Sequence, residues 1–223
     1  MSKLTAKQNI KAIVTAIKTE EQSLRTRFSI LNQQNTIAMV ILLMSLSALI
    51  GVATLYYLTI IPAWLCIILA AFITSISHEL EHDLIHKQYF SNRPYIHNLM
   101  MLTVWLMRPN TVNPWYRRKI HLHHHKVSGT SQDLEERLVG NGIKSPFLRA
   151  LVITDGLLGL LINTKRFNKE ISGFKFLSVF NAGFPIATAY FAILYGVIAY
   201  YAVQFVQPFT LPPWGAELLA GAE

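Results

Sequence analysis

Charge is scarce in this sequence and unevenly placed. Only 14% of the residues are charged, against about a quarter in an ordinary soluble domain. No Lys or Arg occurs in residues 28–86 or 176–223. A chain this poor in charge has lipid as part of its solvent. Cysteine is nearly absent: Cys66 stands alone inside an apolar run, which excludes an intrachain disulfide framework and leaves the redox compartment open. Internal repeats and low-complexity linkers are lacking. No secretory signal peptide is visible, because the first apolar run begins only at Thr36, after a long polar segment. Histidine is missing from both ends, all 8 lying between His78 and His125.

The basic residues that are present fall in two blocks. Six lie between Lys3 and Arg27 and fourteen between Lys87 and Lys175. A net charge of +8 would suit nucleic acid, but basic and aromatic residues are not interleaved into a base-stacking surface, so no nucleic-acid partner is expected. Basic blocks separated by charge-free apolar segments are the pattern of cytoplasmic loops between membrane spans.

Read along the chain, the sequence predicts an all-α integral membrane fold, taken as one domain over 1–223. Residues 1–35 hold an amphipathic cytoplasmic helix, with Ile10, Ile13, Val14, Ile17, Leu24 and Phe28 on one face and Lys7, Lys11 and Lys18 away from it. Such a helix suits either the membrane interface or packing on the rest of the protein. Residues 36–77 read as a transmembrane hairpin. The uncharged run 36–58 is long enough for a hydrocarbon core of roughly 30 Å, a turn at Thr59–Pro62 follows, and 63–77 returns. Tyr56, Tyr57 and Trp64 sit at the far turn, where interfacial aromatics belong. The returning span meets no helix breaker before SHELEHDLIHKQYF, so one helix is expected to carry on out of the membrane. Residues 78–175 form a cytoplasmic region. Its apolar stretches 96–107 and 146–163, the latter interrupted by Asp155 and Gly156, suit interfacial helices better than spans. A third span is expected over 176–206, with Asn181 and Pro185 inside it, and the tail 207–223 on the opposite side.

Two histidine clusters carry the chemistry. In the first, His78, His82 and His86 recur every four residues, so each ring turns only about 40° from the last and all three share one helix face. Glu79, Glu81 and Asp83 are close enough in sequence to hold ring N–H groups as supporting partners. In the second, His121, His124 and His125 share a face by the three-and-four spacing, while His123 points elsewhere. Neutral imidazole binds Fe, Zn, Cu and Ni, and helical pairs at these spacings aim two donors at one ion, as in di-iron bundles. So many polar rings near lipid are costly unless metal or hydrogen bonds satisfy them. His97 stands outside both clusters and reads as an ordinary satisfied histidine.

A second reading exists for the first cluster. His78-Glu79-Leu-Glu-His82 is also H-E-x-x-H, the zinc-protease helix in which the glutamate serves as general base. It gives His86 and the second cluster no role.

In motif order, spacing and topology, residues ~36–206 resemble the membrane fatty acid desaturase superfamily, which includes alkane and carotenoid hydroxylases. His82-Asp-Leu-Ile-His86 followed by Phe90 resembles the family's first histidine box, placed just after a hairpin. His121-Leu-His-His124-His125, preceded by Trp115 and followed by Ser128-Gly-Thr and Asp133, resembles its second. The resemblance implies two irons bound by His82, His86, His121, His124 and His125, with His78 as a further ligand and Asp133 as a supporting carboxylate. It implies O₂ as co-substrate, a lipid or acyl chain as substrate, and electrons from a ferredoxin, rubredoxin or cytochrome b5 type of protein. The expected reaction is desaturation of a fatty acyl chain, with hydroxylation of an alkane, lipid or carotenoid as the alternative. The family's third box has no counterpart, since no histidine follows His125. Either the natural protein extends beyond Glu223, or the chain is an inactive metal-binding relative.

Overall fold

The computed structural model describes residues 5–206. It is all-helical, with no strand among the described residues, and divides into two compact units, residues 1–107 and 108–223.

The first unit opens with helix α1 (Ala6–Arg27). Thr5 caps it through a reciprocal capping box with Gln8, which satisfies two of the N–H groups that a helix start leaves orphaned. A single 3₁₀ turn, Ser29–Asn32, leads into α2 (Gln34–Tyr57), and the chain turns at residues 58–62 into α3 (Ala63–Ile85). Thr59 takes a positive φ of 59° in that turn. Helices α2 and α3 pack side by side as a hairpin, and both are long and apolar enough to cross a membrane. Most of their apolar side chains are exposed, which is the arrangement lipid requires. As the sequence predicts, α3 continues unbroken through His78 and His82 and ends only at His86. Helix α4 (Pro94–Met107) packs on α2 and α3. It buries Met100, Met101, Val104 and Trp105.

The second unit begins with α5 (Pro114–Val127) and the one-turn helix α6 (Leu134–Leu138). Helices α7 (Pro146–Thr154) and α8 (Gly156–Glu170) meet at Asp155, which ends the first and caps the second by accepting a hydrogen bond from the Leu158 N–H at 2.9 Å. These two helices approach closely at Gly159, where a Cβ would lie 2.9 Å from a Val152 methyl. The apolar stretch 176–206 is divided into α9 (Phe176–Asn181) and α10 (Ile186–Val206). Pro185 has no N–H to continue the ladder, and the portion long and apolar enough to span is Ile186–Gln204. The tail expected across the membrane lies outside the described residues. A core of Leu160, Phe167, Ile171 and Val179 binds this unit together, with Tyr116 of α5 and Leu134 and Leu138 of α6 packed against it. That packing brings α5 and α6 into register for the contacts described next.

Candidate metal centre

On α3, the rings of His82 and His86 lie edge to face with centroids 4.8 Å apart, as the four-residue spacing requires. His78 is half-buried one turn earlier on the same helix. The three carboxylates around them have different fates. Glu79 is exposed and Glu81 is buried. Asp83 accepts a hydrogen bond from the Tyr89 hydroxyl at 2.7 Å, and its other oxygen lies 3.7 Å from His82 Nδ1. Burial and the Asp83 carboxylate together push the Tyr89 phenol up to about 12. The segment after α3 is knitted back onto the unit. The Phe90 N–H donates to Asn35 Oδ1 at 2.7 Å, and His97 Nδ1 donates to the Tyr89 carbonyl at 3.0 Å. The buried His97 therefore has a hydrogen-bonding role in supporting the segment that follows the first cluster.

On α5, the local sequence fixes the helix start firmly. The Asn113 side chain caps it by accepting the Tyr116 N–H at 2.7 Å, Pro114 occupies the first turn, and Asn113 Nδ2 also donates to the Ala182 carbonyl at 2.8 Å. From this fixed start, His121, His124 and His125 emerge on one side and His123 on another, exposed face. His121 Nδ1 lies 2.8 Å from Glu135 Oε2, and His124 Nδ1 lies 2.7 Å from Asp133 Oδ2. An ionised carboxylate only accepts, so both Nδ1 atoms carry a proton, and in the neutral form of each ring Nε2 keeps a lone pair. His125 Nε2 lies 3.1 Å from His121 Nε2. Two donors at right angles around one ion, each at about 2.1 Å, would be about 3 Å apart. This is the carboxylate–histidine arrangement that orients metal ligands in known sites.

Asp133 is fully buried and does two jobs. One oxygen holds His124, and the other caps α6 by accepting the Glu136 N–H at 3.2 Å. Its carboxylate raises the His124 pKa above the ordinary imidazole value, chiefly through that hydrogen bond. His124, Asp133 and Glu136 also present atoms close enough to share an ion. Glu136, however, is occupied by Ser128 Oγ at 3.1 Å, the Gly129 N–H at 3.3 Å and Asn141 Nδ2 at 2.5 Å, which makes it the staple of the following loop. Glu135 is a partner that the histidine spacing alone does not reveal. Its signal is the acidic run Asp133-Leu-Glu135-Glu136, which follows the second cluster closely in sequence.

Both clusters end their helices: His82 and His86 lie at the C-terminal end of α3, and His124 and His125 at that of α5. The free carbonyls there favour a cation. The second unit also holds an apolar cavity of about 370 Å³ between α8, α9 and α10, lined among others by Leu157, Leu160, Val179, Ala187 and Phe191. Asp155 and Tyr195 close a 2.5 Å hydrogen bond beside it.

Residues 58–221 match the fatty acid desaturase family model. The chain belongs to the fatty acid desaturase family. No curated protein and no solved structure matches it. As a family member it is of the desaturase and hydroxylase type, an oxidoreductase class acting on lipid acyl chains at a membrane. The family implies a di-iron cofactor, and the histidine clusters of this chain could hold metal. Neutral imidazoles with protonated Nδ1 and bare Nε2 fit that cofactor well.

Proposed function

We propose that this protein is an O₂-dependent di-iron oxidoreductase that introduces a double bond into a fatty acyl chain. The observation that carries the reading is the α5–α6 constellation, in which Glu135 and Asp133 fix the tautomers of His121 and His124 and leave ligand lone pairs beside His125. In this reading His82, His86, His121, His124 and His125 hold the irons, with His78 as a further ligand. The metal pair supplies the oxidising power needed to remove hydrogen from an unactivated C–H bond.

The protein's own contributions are separate from that power. Asp133 and Glu135 orient the imidazoles, hold a proton at Nδ1 and leave Nε2 strongly basic. Leu160, Val179, Ala187 and Phe191 give an acyl chain a dry slot in place of water. Lys87 and Lys119, both exposed, supply positive charge to steer an acidic electron-donor protein of ferredoxin, rubredoxin or cytochrome b5 type.

The test is expression in a host whose lipids are then analysed for new double bonds and hydroxyls. A new unsaturated chain that disappears with His124→Ala and persists with Glu79→Gln supports the proposal. A hydroxylated product under the same dependence makes the protein a hydroxylase. Peptide cleavage lost with Glu79→Gln would replace both with the zinc-protease reading, in which His78, Glu79 and His82 do the work.

A further inference from the structure

Helix α1 has no buried residue. Ile10, Ile13, Val14, Ile17 and Leu24 are 45–62% exposed and occupy an arc of about 100° on the helix. Lys7, Lys11, Lys18 and Arg25 all fall within about 40° of one another, along one border of that arc. The opposite side carries uncharged polar residues, Gln8, Thr15, Thr19, Gln22 and Thr26. One residue breaks the apolar arc, Glu21, and its charge is covered: Arg25 donates to Glu21 Oε1 through Nε at 2.9 Å and Nη2 at 2.7 Å.

The same Arg25 fixes where the helix goes next. It also donates to the Leu31 carbonyl, and Asn32 Nδ2 donates back to the Arg25 carbonyl at 3.3 Å. The 3₁₀ turn is thereby clamped between α1 and the first membrane span, so α1 cannot stand far from the bilayer surface. Asn35, at the start of that span, is bonded to the Phe90 N–H just beyond His86. The root of α1 therefore lies at the histidine-bearing end of the hairpin.

We propose that α1 is an in-plane membrane anchor on the side of His82 and His86. Its apolar arc rests in the boundary between headgroups and acyl chains, and Lys7, Lys11 and Lys18 form a row against anionic lipid headgroups, with Arg25 held on Glu21. Two features point to lipid as the occupant: the clamped continuity with a membrane span, and a one-sided cationic border complementary to an anionic surface. Long cationic side chains at such a border lay their stems on the apolar phase and keep their charges at its edge. This inference is independent of the reaction proposed above.

The test uses the full chain in a Cys66→Ser background, spin-labelled at Ile13→Cys or Thr19→Cys. It is reconstituted in phosphatidylcholine vesicles with and without phosphatidylglycerol. The expected result is an Ile13 label reached by oxygen and shielded from a water-soluble nickel chelate, and a Thr19 label with the reverse preference. Changing Lys7, Lys11 and Lys18 to Glu should lift the Ile13 label toward water in anionic vesicles, with a loss of surface partitioning of about fivefold or more for each lysine reversed. Equal nickel access at both positions overturns the proposal. So does spin–spin broadening at Ile13, which would mean that a second copy covers the face. Immersion unaffected by the charge reversal removes the headgroup half of it. If the cysteine-free background does not fold, Ile13→Trp and Thr19→Trp with Cys66 retained give the same comparison through quenching by brominated lipid.

Discussion

Asp133→Asn separates what Asp133 does for the histidine from what it does for the helix. Asn caps helices as well as Asp does, so the hydrogen bond from the Glu136 N–H and the one-turn α6 should survive. What is lost is the charge-assisted bond to His124 Nδ1 at 2.7 Å. Replacing a carboxylate behind a ligating imidazole typically weakens metal binding by about 10–100-fold, or about 1.4–2.7 kcal/mol. Asp133→Ala should match that loss and cost a further ~1 kcal/mol of fold stability through the missing cap. The assay is an anaerobic Fe(II) titration against a competing chelator, with helicity followed in parallel. Proton competition adds a signature. Asp133 raises the His124 pKa, so the wild-type ring resists metal more strongly in acid than the Asn variant does. The affinity gap between the two should therefore be widest above neutrality and narrow as pH falls through the imidazole range. Full affinity in Asp133→Asn, with loss only in Asp133→Ala, would refute the reasoning and leave Asp133 as a cap alone.

In the metal-free protein the raised His124 pKa has the opposite linkage sign. Its contribution to stability is complete below the unfolded value of about 6.5 and fades as pH rises through the folded value. Chemical denaturation across that range should show this slope in the wild type and lose it in Asp133→Asn. His123→Ala should keep iron affinity within about twofold, since its exposed ring faces away from the cluster; His125→Ala should lose far more, and equal losses would contradict the placement of the two rings. Phe167→Ala, at a fully buried core position between the helices that hold α5 and α6, should cost about 3–5 kcal/mol. Thermal unfolding of the purified protein checks it. Gly142→Ala should destabilise by about 1 kcal/mol or more, because Gly142 has a φ of 81° and an added Cβ would collide with the Arg137 and Arg166 guanidiniums. A Gly142→Ala protein as stable as the wild type would mean both arginines swing aside freely.

The hairpin and the first cluster were legible because nothing competes with periodicity there. No breaker lies between Ala63 and Ile85, so α3 carries its spacing out of the membrane intact. The break at Asp155 was equally visible, since an Asp-Gly pair inside an apolar run both stops a helix and caps the next. The division of 176–206 was harder to read. Asn181 and Pro185 stand out within it, but an apolar run hides the cost of a proline until the backbone shows whether the helix bends or restarts. Glu135 and the occupation of Glu136 depended on the fold itself. They follow from the angle at which α6 meets α5, and that angle is set by Tyr116, Leu134 and Leu138 packing against the same core. His97 reads from its isolation as an ordinary satisfied histidine, and it is buried and hydrogen-bonded. Its carbonyl partner at Tyr89 required the turn after α3 to fold back, which Lys87 and Phe90 permit with positive φ values of 58° and 48°.

Because α3 is a single rigid rod from the far turn to the first cluster, it acts as a depth gauge. At about 1.5 Å per residue, His82 stands some 28 Å and His86 some 34 Å along the axis from Ala63, which is comparable to the hydrocarbon thickness itself. The height of these imidazoles above the lipid is thus fixed by residue count. One residue inserted between Cys66 and Ser77 would raise both by about 1.5 Å and swing them about 100° around the axis. A thicker bilayer that drew the far turn outward would pull the imidazoles toward the acyl chains by the same distance. The lipid composition of the host membrane is in this way a dimension of the site, one that a detergent micelle does not reproduce.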